Sequence, residues 1–414
     1  MNQQRESYHL FQAYGLELEY MIVDKNSMNV LPISDWLLAE LGGAAGSREV
    51  ERGSVVWSNE LAMHVIEVKG NGPVSDITCL HQPIIKDIRE INRILLKKNA
   101  CLMGGAVHPW MNPDTDTGLW NFEDGPIYSA LDRVFGCRGH GWFNLQSAHL
   151  NLPFCGDDEF ARLHAAIRMV LPIIPALAAS SPFLDGQDAG VADARLRVYS
   201  QHCNRLPEAM GEVIPEPVSG RQQYEDTILN PLYEALLPRD PDGILCHEWS
   251  NARGAIARFD RNTIEIRLID VQEHPGMDEG VVCAVAAAVR LLTEQALDDM
   301  EAMNAFDSAG LRRILMETIA YAENALITDS AYLRLLTGNE IACSASRLWR
   351  QILARCMAFH GRERNTAEWI IDHGTLASRM RQFANQGMRE LANRLCRSLE
   401  TGQALWPNGI MNGQ

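Results

Sequence analysis

The sequence predicts an α+β fold, one domain over residues 1–414 in which a sheet-containing part (1–276) leads into a helical part (277–414). Three observations predict it. Polar and apolar residues alternate in Gly15-Leu16-Glu17-Leu18-Glu19-Tyr20, in Ser147-Ala148-His149-Leu150-Asn151-Leu152 and in Thr263-Ile264-Glu265-Ile266-Arg267-Leu268, the period of a strand with one wet face. From Met277 to Leu399, Ala, Leu, Arg, Met and Glu recur at helical spacing, with breaks near Asp307-Ser308-Ala309-Gly310 and Gly338-Asn339. No Pro- or Ser-rich linker separates the two parts, so the helices are expected to pack on the sheet.

In chain order, a strand is expected over Tyr14–Val23 and a turn at Asp24-Lys25-Asn26-Ser27. A helix should run over Ser34–Leu41, capped by Ser34 and stopped by Gly42-Gly43. Glu60 and Glu67 follow in one segment, Asn59–Val68, and are an odd number of positions apart. A bulge, or a helical turn leading into a strand, must intervene if both reach one face. Asp76–Asn99 reads as a long amphipathic helix, with Ile84, Ile88, Ile91 and Leu95 as its stripe and Asp87, Arg89, Lys97 and Lys98 on its wet side. Cys101–Val107 reads as a buried strand and Asp157–Ala179 as helical. Ser180–Gly220 is irregular and carries Arg195, Arg197 and Tyr199, and strands return over Ala255–Asp270.

Hydrophobic residues make up 46% of the chain and charged residues 22%, the balance of a soluble globular enzyme. A net charge of −16 argues against nucleic acid or an anionic membrane as the main partner. It allows a nucleotide whose bound cations supply the missing positive charge. Residues Met1–Gln12 carry no apolar run, so no secretory signal is expected, and Met169–Ala179 is too short to span a bilayer. The ten cysteines form no C-x-x-C pair, which predicts buried free thiols in a reducing cytoplasm. Cys246-His247-Glu248 is read as no metal site, because neighbours on a strand face opposite ways.

The polar positions of the alternating segments are chemically narrow. Glu17, Glu19, Glu60, Glu67, His149 and Glu265 recur where an exposed face would mix Lys, Thr, Ser and Gln. Two carboxylates ~5 Å apart at an effective dielectric of ~20 repel by roughly 3 kcal/mol. If these faces converge, several such groups require protonation or bound divalent metal.

The ordered set Gly15-x-Glu17-x-Glu19, Glu60, Glu67, His149-x-Asn151 and Glu265-x-Arg267-x-x-Asp270 resembles the glutamate–cysteine ligase family and its carboxylate–amine ligase relatives. Gly104-Gly105-x-x-His108-Pro109, Ser181-Pro182-Phe183 and Arg258-Phe259-Asp260-x-Asn262-x-Ile264-Glu265 add to the resemblance, which runs in order from Tyr14 to Asp270. It implies the large curved antiparallel sheet shared with glutamine synthetase and the guanidino kinases. It also implies ATP-dependent amide-bond formation through an acyl phosphate, most simply between glutamate and cysteine or another amine, as in glutathione biosynthesis.

Carried over by motif, Glu17, Glu19, Glu60, Glu67, His149 and Glu265 are expected to hold Mg²⁺ or Mn²⁺, hard ions suited to oxygen ligands and one imidazole. Arg267 and Glu67 are expected to be catalytic, and Asn151, Arg258 and Arg267 to bind the nucleotide. Arg195, Arg197 and Tyr199 are expected at the substrate, with the choice between the two arginines open. The expected partners are ATP and small amino-acid substrates. The last third is expected to shape the acceptor pocket or a homo-oligomer contact. A guanidino-kinase-type phosphotransferase and a non-catalytic nucleotide- or metabolite-binding protein are the competing readings.

Overall fold

The computed structural model describes residues 8–42 and 46–406. Eight strands form one sheet: β1 (Gly15–Asp24), β2 (Glu49–Arg52), β3 (Val55–Asn59), β4 (Val65–Gly70), β5 (Ala100–Met103), β6 (Ser147–Pro153), β7 (Ala255–Arg258) and β8 (Thr263–Asp270). Their order is β2-β3-β4-β1-β6-β8-β7, with β5 also paired to β1, and every pairing is antiparallel.

The alternation read from the sequence is obeyed on β1. Leu16, Leu18, Tyr20 and Ile22 enter the main apolar core. On the opposite face Glu17 and Glu19 are followed by Met21 and Val23, which belong to a second apolar cluster with Cys101, Met103 and residues of the helix Met388–Thr401. One face of β1 is thus acidic in its first half and greasy in its second.

The main core holds residues from Leu16 to Leu399, so sheet and C-terminal helices share it. The helix Pro275–Asn304 lies along the helix Gly156–Val170 and against β6. It has the length and apolar content of a bilayer span, yet 67% of its most apolar window is buried in this fold. Its Asp278 accepts a hydrogen bond from the Tyr20 hydroxyl at 3.0 Å and ties the helix to β1.

Several local expectations change. The amphipathic helix spans His81–Leu95 between 3-10 turns at Ile77–Leu80 and Leu96–Lys98. Asp87, expected on its wet side, is buried and accepts the Trp57 indole N–H at 2.8 Å. Ser34 begins the helix Ser34–Gly42, but its hydroxyl has no partner among the described residues and makes no cap; Gly43 lies outside them. The expected strand Cys101–Val107 stops at Met103. Gly104 lies against β8's exit, where an added Cβ would stand 2.6 Å from the Gln272 carbonyl, and the next residue, Gly105, donates its amide to that carbonyl at 3.2 Å. Cys246-His247-Glu248 is a loop leading into a 3-10 turn, so the strand argument does not apply to it.

Candidate functional site

Strand register assembles the acidic face. Glu17 stands opposite Lys69 and His149, Glu19 opposite Glu67, and Glu265 opposite Asn151. Residues directly opposed across antiparallel strands share a face. The chain solves the spacing of Glu60 and Glu67 without a bulge: Glu67 lies on β4, whereas Glu60 directly follows β3, and a turn at Met63-His64 lies between them. A bulge occurs elsewhere. The β8–β6 register slips between Ile266 and Ile269, and the extra residue brings Asp270 opposite Ser147, onto the face of Glu265.

Each carboxylate has its own partners. Glu17 accepts from Asn151 Nδ2 at 3.1 Å and lies 3.3 Å from His149 Nδ1. Glu19 accepts from the Ser147 amide at 2.7 Å and its hydroxyl at 3.1 Å. Glu67 takes the Ser58 hydroxyl at 2.5 Å and Lys69 Nζ at 2.6 Å. Glu265 holds Arg267 Nε at 2.7 Å and Arg258 Nη1 at 3.5 Å, and its Oε1 is 3.8 Å from His149. Glu60 has only the Leu61 amide at 3.3 Å, and no cation within ion-pair distance among the described residues.

The electrostatics follow from these partners. Burial would raise the Glu17 carboxyl, but the hydrogen bond and charge of His149 and the charge of Lys69 bring it down to about 2. Burial and the Glu17 charge push Glu67 up to about 7, against Lys69. Burial, then Glu19 and Glu67, hold Glu60 well above the carboxylate range. His149 is raised: burial opposes the shift, and Glu17, Glu19 and Glu265 overcome it.

Among the described residues no three His, Cys, Asp or Glu side chains are gathered as closely as one bound ion requires. Lys69 and Arg267 hold Glu67 and Glu265 instead. The donor set nevertheless fits a hard divalent cation: Glu17, Glu19, Glu67, Glu265 and His149 share a face, Glu60 lines the cleft with Glu19 and His149, and Glu60 makes no ion pair among the described residues.

A titration tests this. Glu60 and Glu67 have folded-state pKa values above the unfolded 4.5, so the native state binds more protons than the unfolded one. Stability of the metal-free protein should therefore fall as pH rises from 4.5 through about 7. Glu60→Gln should raise the metal-free Tm at pH 8 by about 2–4 °C, the response to each kcal/mol in a large domain. An unchanged or lower Tm would mean that Glu60 is not under repulsion.

Beside the acidic face lies a cleft. Glu19, Glu60, His149, Arg195, Tyr199 and Arg267 line it, with Tyr128, Trp142, His202 and Trp249 as aromatic wall. Within the stretch read as irregular, a short helix, Ala194–Tyr199, is capped by Asp193, whose carboxylate accepts from the Leu196 amide at 2.7 Å. Positions four apart share a helix face, so Arg195 and Tyr199 both reach the cleft. Arg197 faces away and donates to the Ala189 carbonyl.

Arg195 is fixed by Asp270 Oδ1 at 3.0 Å and by the Arg267 carbonyl at 2.6 Å, and its Nε has no partner among the described residues. The other Asp270 oxygen accepts from the Ser180 amide at 2.9 Å and the Ser181 hydroxyl at 3.0 Å. Of the residues expected at the site, only Arg197 is directed elsewhere. Lys69, Ser147 and the aromatic wall were not anticipated. Lys69 had a signal, two positions beyond Glu67 on one strand, whereas the wall comes from loops and short helices without a period.

Comparisons with known proteins show what the chain is similar to. Residues 13–398 match the model of glutamate-cysteine ligase family 2. An uncharacterized protein of Archaeoglobus fulgidus is 36% identical over 305 residues, 73% of this chain and 81% of that protein. "Putative glutamate--cysteine ligase 2" of Nitrosospira multiformis is 23% identical over 191 residues, 44% of this chain and 46% of its own length. The match thus spans about half of that ligase. Among solved structures, the glutamate–cysteine ligase of Francisella tularensis in complex with AMP superposes with a TM-score of 0.61 at 11% identity, covering 94% of this chain and 89% of that one. A bifunctional glutathione synthetase from Pasteurella multocida gives 0.56 at 12% identity, covering 95% of this chain and 53% of that one. These two likenesses show the fold, mixed helix and antiparallel sheet. By the match over nearly its whole length, the chain belongs to glutamate–cysteine ligase family 2.

Proposed function

We propose that the protein is an ATP-dependent carboxylate–amine ligase that forms an amide bond through an acyl phosphate. The observation that carries this reading is the convergence of Glu17, Glu19, Glu67, His149, Glu265 and Arg267 through strand register, beside a cleft lined by Arg195. Glu17, Glu19, Glu60, Glu67, His149 and Glu265 would hold Mg²⁺ or Mn²⁺, which when bound supplies positive charge against the nucleotide's phosphates.

The chain's residues position the reactants. Arg267 presents a guanidinium to the transferred phosphoryl group, with Glu265 fixing its Nε. Arg195, held by Asp270, takes a substrate carboxylate, a pairing its planar fork suits. Asn151 and Arg258 steady Glu17 and Glu265 beside the nucleotide. Glutamate is the leading donor, with cysteine or another amine as acceptor.

The test is ADP release with Mg²⁺ and a panel of amino acids, with the product mass determined. An amide product dependent on added Mg²⁺ supports the reading. A phosphorylated product without amide would make the protein a phosphotransferase. Nucleotide binding without turnover across the panel would make it a binding protein.

A further inference from the structure

The second half of the site face carries a feature that ligation does not use. Beyond Glu17 and Glu19, β1 continues to Val23, which stands opposite Cys101 of β5. The helix Met388–Thr401 covers this strand and brings Cys396 into the same apolar cluster. Both cysteines are 9% exposed, and both line one surface pocket.

The rim of that pocket is basic. Lys25, Arg89, Arg93 and Arg397 line it, with Glu400 as the acidic member. Arg93 is paired with Glu90. In a chain of net charge −16, this is a local reversal of sign.

The thiols differ. Cys101 is lowered, first by a hydrogen bond from Cys396 and then by the charge of Lys25, against burial and the charges of Glu400 and Asp24. Cys396 is raised by the same hydrogen bond and by burial. A thiolate is the nucleophile in disulfide exchange, so Cys101 is the attacking group.

We propose that this pocket takes up an anionic low-molecular-weight disulfide and exchanges with it to form a Cys101–Cys396 disulfide. The Cys101 thiolate attacks one sulfur of the small disulfide, forming a mixed disulfide and releasing one thiolate. Cys396 then gives up its proton and attacks the Cys101 sulfur, releasing the second. The protein dithiol loses two electrons, and the small disulfide is reduced to two thiols that carry the two protons. The crosslink fastens the C-terminal helix to β5, whose neighbour β1 bears Glu17 and Glu19.

The experiment uses the full chain, reduced and then treated at low ionic strength with three probes: the disulfide of 3-mercaptopropionate (anionic), 2-hydroxyethyl disulfide (neutral) and cystamine (cationic). Crosslinking is followed by intact mass and peptide mapping. The expected result is a peptide pair joined through Cys101 and Cys396, formed about tenfold faster with the anionic probe than with the neutral one, as a local potential would steer it. The double substitution Arg89→Gln, Arg397→Gln should remove most of that preference, and salt should weaken it. Cys396→Ser should stop at a mixed disulfide on Cys101, and Cys101→Ser should show neither product. Adducts confined to the exposed Cys79, or equal rates with all three probes, would overturn the proposal.

Discussion

Arg267→Lys is expected to slow turnover by about one to three orders of magnitude, the scale for loss of one preorganised donor to developing charge. In the proposed mechanism the contact would strengthen as phosphoryl charge develops, so the loss should fall on kcat and leave KM for the nucleotide nearly unchanged. Lysine keeps the charge but lacks the planar fork that donates to Glu265 through Nε while facing the cleft. A purely structural arginine would behave otherwise. Arg267→Ala would then lower Tm by several degrees and leave kcat of the folded fraction untouched. Measuring Tm and kcat on one preparation separates the two roles.

Asp270→Asn is expected to cost about 3–5 kcal/mol of stability, because it leaves the Arg195 guanidinium buried without its counter-charge. Both side chains are largely shielded from solvent, 2% and 0% exposed, so hydration offsets little of the lost partner. Removing both charges should be milder than removing one. Asp270→Asn with Arg195→Met should recover part of the loss in denaturant unfolding. A loss below about 1 kcal/mol for Asp270→Asn, the range of an exposed pair, would show that Asp270 does not hold Arg195.

What the sequence made legible was what has a period. Strict alternation placed Glu17, Glu19, His149, Asn151 and Glu265 on strands with one polar face, and the pairings put them opposite one another. Helical spacing placed the stripe of His81–Leu95 and the run of C-terminal helices. Where periodicity failed, tertiary contacts decided. Asp87 is buried because the Trp57 indole needs an acceptor. Glu60 reaches the cleft because a turn, not a bulge, separates it from Glu67. Sequence could not choose between Arg195 and Arg197, two positions apart in a stretch without pattern. The Asp193-capped helix turns Arg195 toward the cleft and Arg197 toward the Ala189 carbonyl. Asp270 was visible as a motif residue, but its face was hidden, because a bulge inverts parity along β8.

Oxygen transfer tests the proposed chemistry most directly. The donor carboxylate is labelled with ¹⁸O and incubated with ATP, Mg²⁺ and the amine that sustains turnover. Attack of that carboxylate on the γ-phosphorus, followed by displacement by the amine, leaves one labelled oxygen in the released phosphate, with ADP as the nucleotide product. Label in AMP, with pyrophosphate released, would mean adenylation and would contradict the acyl-phosphate route.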